Sequence, residues 1–253
     1  MIPSLILYFQ FFTRLSLNVA IDQPLKRMKS GVKYFSLFGA LIGIIEAAVF
    51  FLARLFFEPV LAFLIVLFFD AVLTGAFHLD ALSDMADGLF SSRNKERMLE
   101  IMKDSRVGSN GVLSLVFYYL FSLLAFQTIT HEMTELKLLL VVICFQMIGK
   151  NSITLLFYKM VYAGASPNGL GAAFLDVRTK DILWAQFFTL SLLLISFQWI
   201  GVILHLGCNG FTWAYRRLVI KKVAGLNGDT LGAASPLSQV VYLLLLVLIR
   251  GFL

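Results

Sequence analysis

Residues 36–57 read SLFGALIGIIEAAVFFLARLFF, and the only charged residues in this stretch are Glu46 and Arg54. A helix rises about 1.5 Å per residue, so one of this length can cross the roughly 30 Å hydrocarbon core of a bilayer. Comparable apolar stretches follow along the chain, and the sequence predicts seven membrane spans, at about 36–57, 59–77, 111–130, 137–157, 182–198, 199–215 and 237–253. The predicted fold is therefore an all-α, polytopic membrane helix bundle.

The composition of the whole chain agrees with this fold. Of its 253 residues, 59% are hydrophobic and 14% are charged, and the mean hydropathy is +0.86. A soluble domain is roughly 45–50% apolar and 25% charged, so a soluble or disordered protein is excluded. Near the N-terminus Ser4, Gln10, Arg14 and Asn18 share one arc beside apolar residues, which predicts a helix lying in the membrane interface.

Lysine and arginine are distributed unevenly between the two sides of the predicted bundle. One side holds 17 of the 21 basic residues, and the other holds Lys137 and Arg250. Because cytoplasmic loops carry the excess of Lys and Arg, the N-terminus is predicted to face the cytoplasm together with the three long loops, 78–110, 158–181 and 220–236. The same rule explains the formal charge of +6 without a nucleic-acid partner. We expect residues 1–253 to form one membrane domain with its active site in these loops.

Three carboxylates follow one another closely at the end of the second predicted span. The segment 78–88 reads HLDALSDMADG, and on a helix Asp80, Asp84 and Asp87 project from one narrow face. No basic residue lies beside them on that helix, so a cation is needed to relieve their repulsion. Oxygen ligands select Mg²⁺, Mn²⁺ or Ca²⁺. A metal site is therefore predicted, with pairing to basic residues of other segments and an ion pathway as open alternatives.

Residues suited to an anionic substrate follow this helix. Arg93 and Arg106 lie near the carboxylates or a glycine turn, where a bidentate phosphate contact is easy. The other basic residues there, Lys103 among them, are also typical of a helix that touches anionic lipids. The glycine-containing segments 164–171 and 225–232 could present backbone N–H groups to phosphate oxygens, although turns between helices have the same composition.

Charged residues also occur inside the predicted spans. Glu46, Asp70 and Lys150 are costly at this depth unless they are paired or face a cavity. His78 precedes Asp80 by two residues and is interpreted either as a structural hydrogen-bonding group or as a general base beside a bound substrate.

Four segments in this order resemble the signature segments of the cobalamin synthase family. They are the segments 77–88 (FHLDALSDMADG), 97–108 (RMLEIMKDSRVG), 169–174 (GLGAAF) and 226–233 (LNGDTLGA). The resemblance runs from the N-terminal segment to the last span and so covers essentially the whole chain. The sequence differs from the family's pattern at a few positions, such as Ala81, where many relatives carry Gly. None of these differences falls on a charged residue.

This resemblance implies a Mg²⁺-dependent enzyme of the bacterial inner membrane, with Mn²⁺ as an alternative metal. The family joins α-ribazole, or its 5′-phosphate, to adenosylcobinamide-GDP and releases GMP. The expected partners are these substrates and the lipid bilayer, and a homo-oligomer is left open.

The resemblance also implies roles for particular residues. Asp80, Asp84 and Asp87 would bind the metal, with Asp104 or Asp229 completing its ligands. One of these carboxylates, or His78, would take the proton of the attacking hydroxyl. The residues expected to hold substrate and phosphate groups are Arg93, Lys103, Arg106, Gly169, Gly171, Asn227, Gly228 and Thr230.

Two other functions are weighed against this one. A CDP-alcohol phosphotransferase also uses clustered aspartates, but its pattern is only partly present here, in Asp84-x2-Asp87-Gly88. A transporter would also have about seven spans and intramembrane charges, but transporters place their sites near the midplane and commonly contain repeats.

Overall fold

The computed structural model describes residues 1–91, 93–164 and 170–252. Its α-helices, in chain order, are α1 Ile2–Phe12, α2 Pro24–Ser30, α3 Phe35–Arg54, α4 Pro59–Thr74, α5 Phe77–Leu89, α6 Lys95–Ile101, α7 Ser109–Thr130, α8 Glu135–Leu156, α9 Thr179–Phe197, α10 Ile200–Val223 and α11 Gly228–Leu248. Short 3₁₀ segments lie at Val32–Tyr34, Leu170–Phe174 and Arg250–Phe252. The described part of the chain has no β-strand, only an isolated bridge between Tyr162 and Leu226. The all-α fold is confirmed.

The long apolar helices make this a multi-pass membrane protein. Five of them are long and apolar enough to cross a bilayer, namely α3 with its preceding 3₁₀ turn, α7, α8, α9 and α11. The pair α4 and α5 passes the same test together but is bent by 91°, which gives up to six spans. The predicted sixth span, 199–215, corresponds to α10, which is not among the helices that pass this test. This helix is long enough at 24 residues, but its last turns carry Arg216, Arg217, Lys221 and Lys222.

The segment 220–236 was expected to be a loop, and this expectation is wrong. Helix α10 continues to Val223, and α11 begins at Gly228, so only a short turn separates them. Gly232, Ser235 and Pro236 of this segment are buried within α11. Such residues are tolerated in membrane helices because neighbouring helices satisfy the backbone. The last span therefore has 21 residues and starts well before residue 237.

The predicted N-terminal helix is present but shorter than its polar repeat suggests. It ends at Phe12, so Arg14 and Asn18 lie beyond it. Ser4 is buried and donates a hydrogen bond to Arg27 O at 3.0 Å, and the Tyr8 hydroxyl donates to Met28 O at 2.7 Å. These two bonds fasten α1 to α2 beside the first span.

Helices α3 and α8 cross at very short range. A Cβ atom at Gly39 would lie 2.8 Å from Gln146 O, and one at Gly43 would lie 2.5 Å from Ile143 O. Small residues allow membrane helices to approach in this way, since packing replaces the hydrophobic effect as the force between them.

We expect Gly43→Leu to destabilise the bundle, because its side chain must separate the two helix backbones. Overpacking of this kind costs about 1–3 kcal/mol. Thermal unfolding in detergent measures the effect. Gly210→Leu is the matched control, since nothing lies within 4 Å of a Cβ at that position of α10. An equal loss of stability in both variants would contradict the close α3–α8 contact.

Candidate active site

A sharp bend between α4 and α5 positions the first functional residues. Gly75 and Ala76 both have left-handed backbone conformations, with φ of 65° and 59°. Glycine adopts this conformation freely, whereas alanine does so only under strain. A side chain at Gly75 would also meet the Arg14 guanidinium, whose Nε lies 2.9 Å from the ideal Cβ position. The bend turns α5 away from the direction of α4, with His78 and Asp80 in its first turn.

The three aspartates of α5 differ in their surroundings, although they share a helix face. Asp80 is exposed, Asp84 is half-buried, and Asp87 is buried. Both oxygens of Asp87 are engaged, because they accept hydrogen bonds from Gly108 N at 2.7 Å and Gly111 N at 2.8 Å. Asp87 therefore caps the first turn of α7, a role that the sequence analysis did not predict. Its expected metal binding stays a prediction.

A cavity of about 220 Å³ opens beside Asp80. Its polar lining includes His78, Asp80 and Asp229. Its walls are mainly aromatic and come from α1, α5, the start of α3 and the segment after α8, through Tyr8, Phe12, Phe35, Phe77, Phe157, Tyr162 and Phe174. No lysine or arginine of the described residues lines it. The cavity is suited to a flat, uncharged ring with a polar group directed at the carboxylates.

Asp229 enters the cavity from the first turn of α11. Asn227 and Thr230 form a capping box there: Thr230 N donates to Asn227 Oδ1 at 2.9 Å, and Asn227 N donates to Thr230 Oγ1 at 2.8 Å. Asn227 Nδ2 also donates to Asp229 Oδ2 at 3.3 Å. Because Asn227 and Thr230 are buried and hydrogen-bonded to each other, the structure gives them a structural role, and their expected contact with substrate stays a prediction.

The two glycine segments meet at the cavity. Gly171 and Gly228 both line it, and a Cβ at Gly171 would lie 3.6 Å from Gly228 N. Gly169, which the sequence analysis also assigned to substrate binding, lies outside the described residues.

The carboxylates from α5 and α11 form one electrostatic group. The negative charges of Asp80 and Asp229 are close enough to Asp84 to repel its carboxylate. In the described part of the chain, neither Asp80 nor Asp84 accepts a side-chain hydrogen bond or forms an ion pair, so their oxygens are free to bind a cation. Across the same residues, no three His, Cys, Asp or Glu side chains converge into a complete metal site.

The basic residues lie outside the cavity. Arg106 is exposed and pairs with Asp104, donating from Nη2 to Oδ2 at 2.6 Å and from Nε to Oδ1 at 3.0 Å. Hydrogen bonds from Arg106 lower the pKa of Asp104 to about 2. Arg106 and Asp104 pair with each other in this structure, and their expected contacts with phosphate and metal stay predictions. Arg93 is exposed, and Lys103 lies close enough to Asp229 for their charges to attract.

Comparison with known proteins decides the family. A family described as cobalamin-5-phosphate synthase matches residues 4–247. The chain belongs to this family. A protein named adenosylcobinamide-GDP ribazoletransferase from Listeria monocytogenes is 43% identical over 98% of both chains. Proteins of the same name from Clostridium novyi and Alkaliphilus metalliredigens are 35% and 34% identical, over 98% and 96% of this chain and 98% and 94% of theirs. No solved structure matches the chain.

Membership of the cobalamin-5-phosphate synthase family confirms the resemblance and disfavours both alternatives, a CDP-alcohol phosphotransferase and a transporter. The sequence analysis missed the aromatic walls of the cavity. Phe77 and Phe174 lie within segments that resemble the family, and this was the available signal. Tyr162 lies outside those segments. Burial and the Asp229 carboxylate raise the pKa of Tyr162, which keeps its hydroxyl protonated and able to donate.

We expect Asp87 and Asp84 to respond differently to truncation. Asp87→Ala leaves the N–H groups of Gly108 and Gly111 without their acceptor, and should lower the free energy of unfolding by about 1–3 kcal/mol. Asp84→Ala removes a repelling charge and should leave stability unchanged or raise it. Thermal unfolding of both variants in detergent checks this. Equal destabilisation would show that Asp87 is not a specific cap of α7.

Proposed function

We propose that this chain is an adenosylcobinamide-GDP ribazoletransferase, which joins α-ribazole or its 5′-phosphate to adenosylcobinamide-GDP and releases GMP. The observation that carries the proposal is the aromatic cavity with Asp80 and Asp229 in its lining, in a chain 43% identical to a protein of that name. The family supplies the reaction, and the cavity supplies a place for the smaller substrate.

The cavity fits the nucleoside better than it fits the donor. The benzimidazole of α-ribazole is flat and largely apolar, and aromatic side chains such as Phe157 and Phe174 can stack on it. These two rings already stack on each other, with centroids 4.6 Å apart. With the base among the aromatic walls, the ribose hydroxyls are directed toward His78, Asp80 and Asp229.

The reaction needs a base at the attacking hydroxyl. The ribose oxygen forms a bond to the phosphorus on the cobinamide side of the diphosphate, and the bond from that phosphorus to the bridging oxygen breaks. GMP leaves with the electron pair. The hydroxyl proton passes to a carboxylate, for which Asp80 and Asp229 are the candidates in the lining, with His78 as the alternative.

The free carboxylate oxygens fit Mg²⁺, or Mn²⁺ in its place. Asp80, Asp84 and Asp229 would hold the ion, because their donors are hard oxygens and a proximate positive charge relieves their repulsion. In phosphoryl-transfer sites Mg²⁺ is usually bound by one or two carboxylates together with substrate phosphates, so a complete protein cage is not required. When bound, the ion supplies positive charge to the phosphate oxygens.

The donor is proposed to bind at the mouth of the cavity. A corrinoid is too large for about 220 Å³, whereas the exposed segment around α6 carries Arg93, Lys103 and Arg106. Of these, Lys103 is proposed to hold the diphosphate, because its charge acts on Asp229 in the cavity lining. Arg106 would have to exchange Asp104 for a phosphate group.

We further propose that the site faces the cytoplasm of the bacterial inner membrane. The connections at the site end of the bundle carry most of the basic residues, and the positive-inside rule places such connections in the cytoplasm.

An assay with purified protein in liposomes, both substrates and Mg²⁺ tests the function by chromatography of cobalamin and GMP. Asp80→Asn and Asp229→Asn should each lower kcat by about 10²–10⁴-fold, and a chelator should abolish turnover. Asp22→Asn is the control, because Asp22 is an exposed carboxylate between α1 and α2. A wild-type protein that forms neither cobalamin nor GMP would overturn the proposed function, whereas full activity in both site variants, or turnover that resists the chelator, would overturn the roles given to these carboxylates and to the metal.

Placing the base in the aromatic cavity makes a separate prediction. Phe174→Ala should raise KM for α-ribazole about tenfold while KM for the donor stays unchanged, because base–aromatic stacking is worth about 1–3 kcal/mol. Phe56→Ala is the control, since Phe56 is 79% exposed and does not line the cavity. Equal effects on both KM values would contradict the separation of the two substrates.

A further inference from the structure

A second group of ionisable side chains lies inside the bundle, apart from the substrate cavity. Glu46 of α3, Asp70 of α4 and Lys150 of α8 face one another, with Gln146 of α8 beside them. Glu46 is fully buried, and Lys150 is 2% exposed. None of the four lines the cavity that contains Asp80 and Asp229. Asp70 and Lys150 line a separate chamber of only about 10 Å³, and His78 lines both this chamber and the cavity.

The polar atoms of this group are incompletely paired. Both carboxylate oxygens of Glu46, Oδ1 of Asp70 and Nε2 of Gln146 are buried without a hydrogen-bond partner. Lys150 Nζ donates to Gln146 Oε1 at 3.2 Å. Among the described residues, no ion pair shorter than 4.0 Å involves Lys150, Glu46 or Asp70. Buried polar atoms without hydrogen-bond partners, on several side chains that converge, indicate that a further ion or proton is bound among them.

The charge of the group identifies the missing component. Two ionised carboxylates and one ammonium sum to a single negative charge, which the interior of a membrane bundle does not tolerate. Two carboxyl groups at close range cannot both ionise, and the pair keeps one proton between them. The acid then donates its O–H to the other carboxylate, and Lys150 balances the remaining charge.

We propose that Glu46, Asp70 and Lys150 form a proton-binding site in which the two carboxyl groups share one proton. The other titratable side chains that face it are His78 of α5 and the tyrosines 118 and 119 of α7. Ser235 and Gln239 of α11 complete the polar surroundings. The site is independent of the transferase reaction, because it rests on the burial and the charge of its own members.

Infrared spectroscopy of the full chain in lipid nanodiscs tests this directly. At a pH well above the ordinary carboxyl pKa of about 4, exposed carboxylates have lost their carboxylic-acid carbonyl band. If the two carboxyl groups share one proton, the wild-type spectrum contains one carboxylic-acid carbonyl band from this pair. We expect Glu46→Gln and Asp70→Asn each to remove that band completely, because the remaining carboxyl group then ionises opposite Lys150. Glu135→Gln is the control, because Glu135 is exposed and pairs with Arg54 at 2.5 Å. It should leave the acid band unchanged.

A third variant separates a shared proton from other arrangements. Lys150→Met removes the balancing charge, so both carboxyl groups should become protonated and the acid band should double. A wild-type spectrum without an acid band that these variants alter would overturn the proposal. Half the band lost in each of Glu46→Gln and Asp70→Asn would also overturn it, since that result describes two separate protons. If one of the two carboxyl variants does not fold, the other alone still shows whether the acid band comes from this pair.

Discussion

Asp80 and Asp229 come from helices that are far apart in the sequence, and one close contact brings them to the same cavity. Helix α5 packs against α11 where Ala81 faces Gly232, and a Cβ atom at Gly232 would lie only 2.6 Å from that of Ala81. A larger residue on either side would separate the helices and widen the distance between the two carboxylates. The bend at Gly75 and Ala76 serves the same end, because without it α5 would continue along α4 and turn away from α11.

The aspartates of α5 show how burial divides similar residues between different roles. A buried carboxylate needs hydrogen-bond donors, and Asp87 has two from the backbone of α7. Asp80 and Asp84 are less buried and have no such donors in the described structure, so their charges are stabilised only by water or a cation. Like charges held together without donors lower the stability of the folded chain, which is typical of sites shaped by function.

The sequence was sufficient for the features that depend on local pattern. The apolar stretches predicted an all-α bundle of several membrane spans, and the spacing of Asp80, Asp84 and Asp87 placed them on one helix. Prediction from the sequence failed where residues that are common in loops are buried by neighbouring helices, as in the first turns of α11. The aromatic cavity could not be predicted either, because Tyr8, Phe35 and Phe157 converge only after several helices have packed. Taken one at a time in the sequence, each of these three aromatic residues has the pattern of an ordinary core residue.

The distribution of charge around the cavity bears on how two very different substrates would meet there. The lining has carboxylates but no basic side chain among the described residues, so it favours a neutral ring with hydroxyl groups and repels a diphosphate. Lys103, on the exposed segment after α6, is close enough to Asp229 for the two charges to attract. On the proposed function, a polyanionic donor would therefore stop at the mouth, where basic side chains and a carboxylate-bound cation can offset its charge. The hydroxyl and the phosphorus then meet at the boundary between the two regions, which is where Asp80 and Asp229 lie.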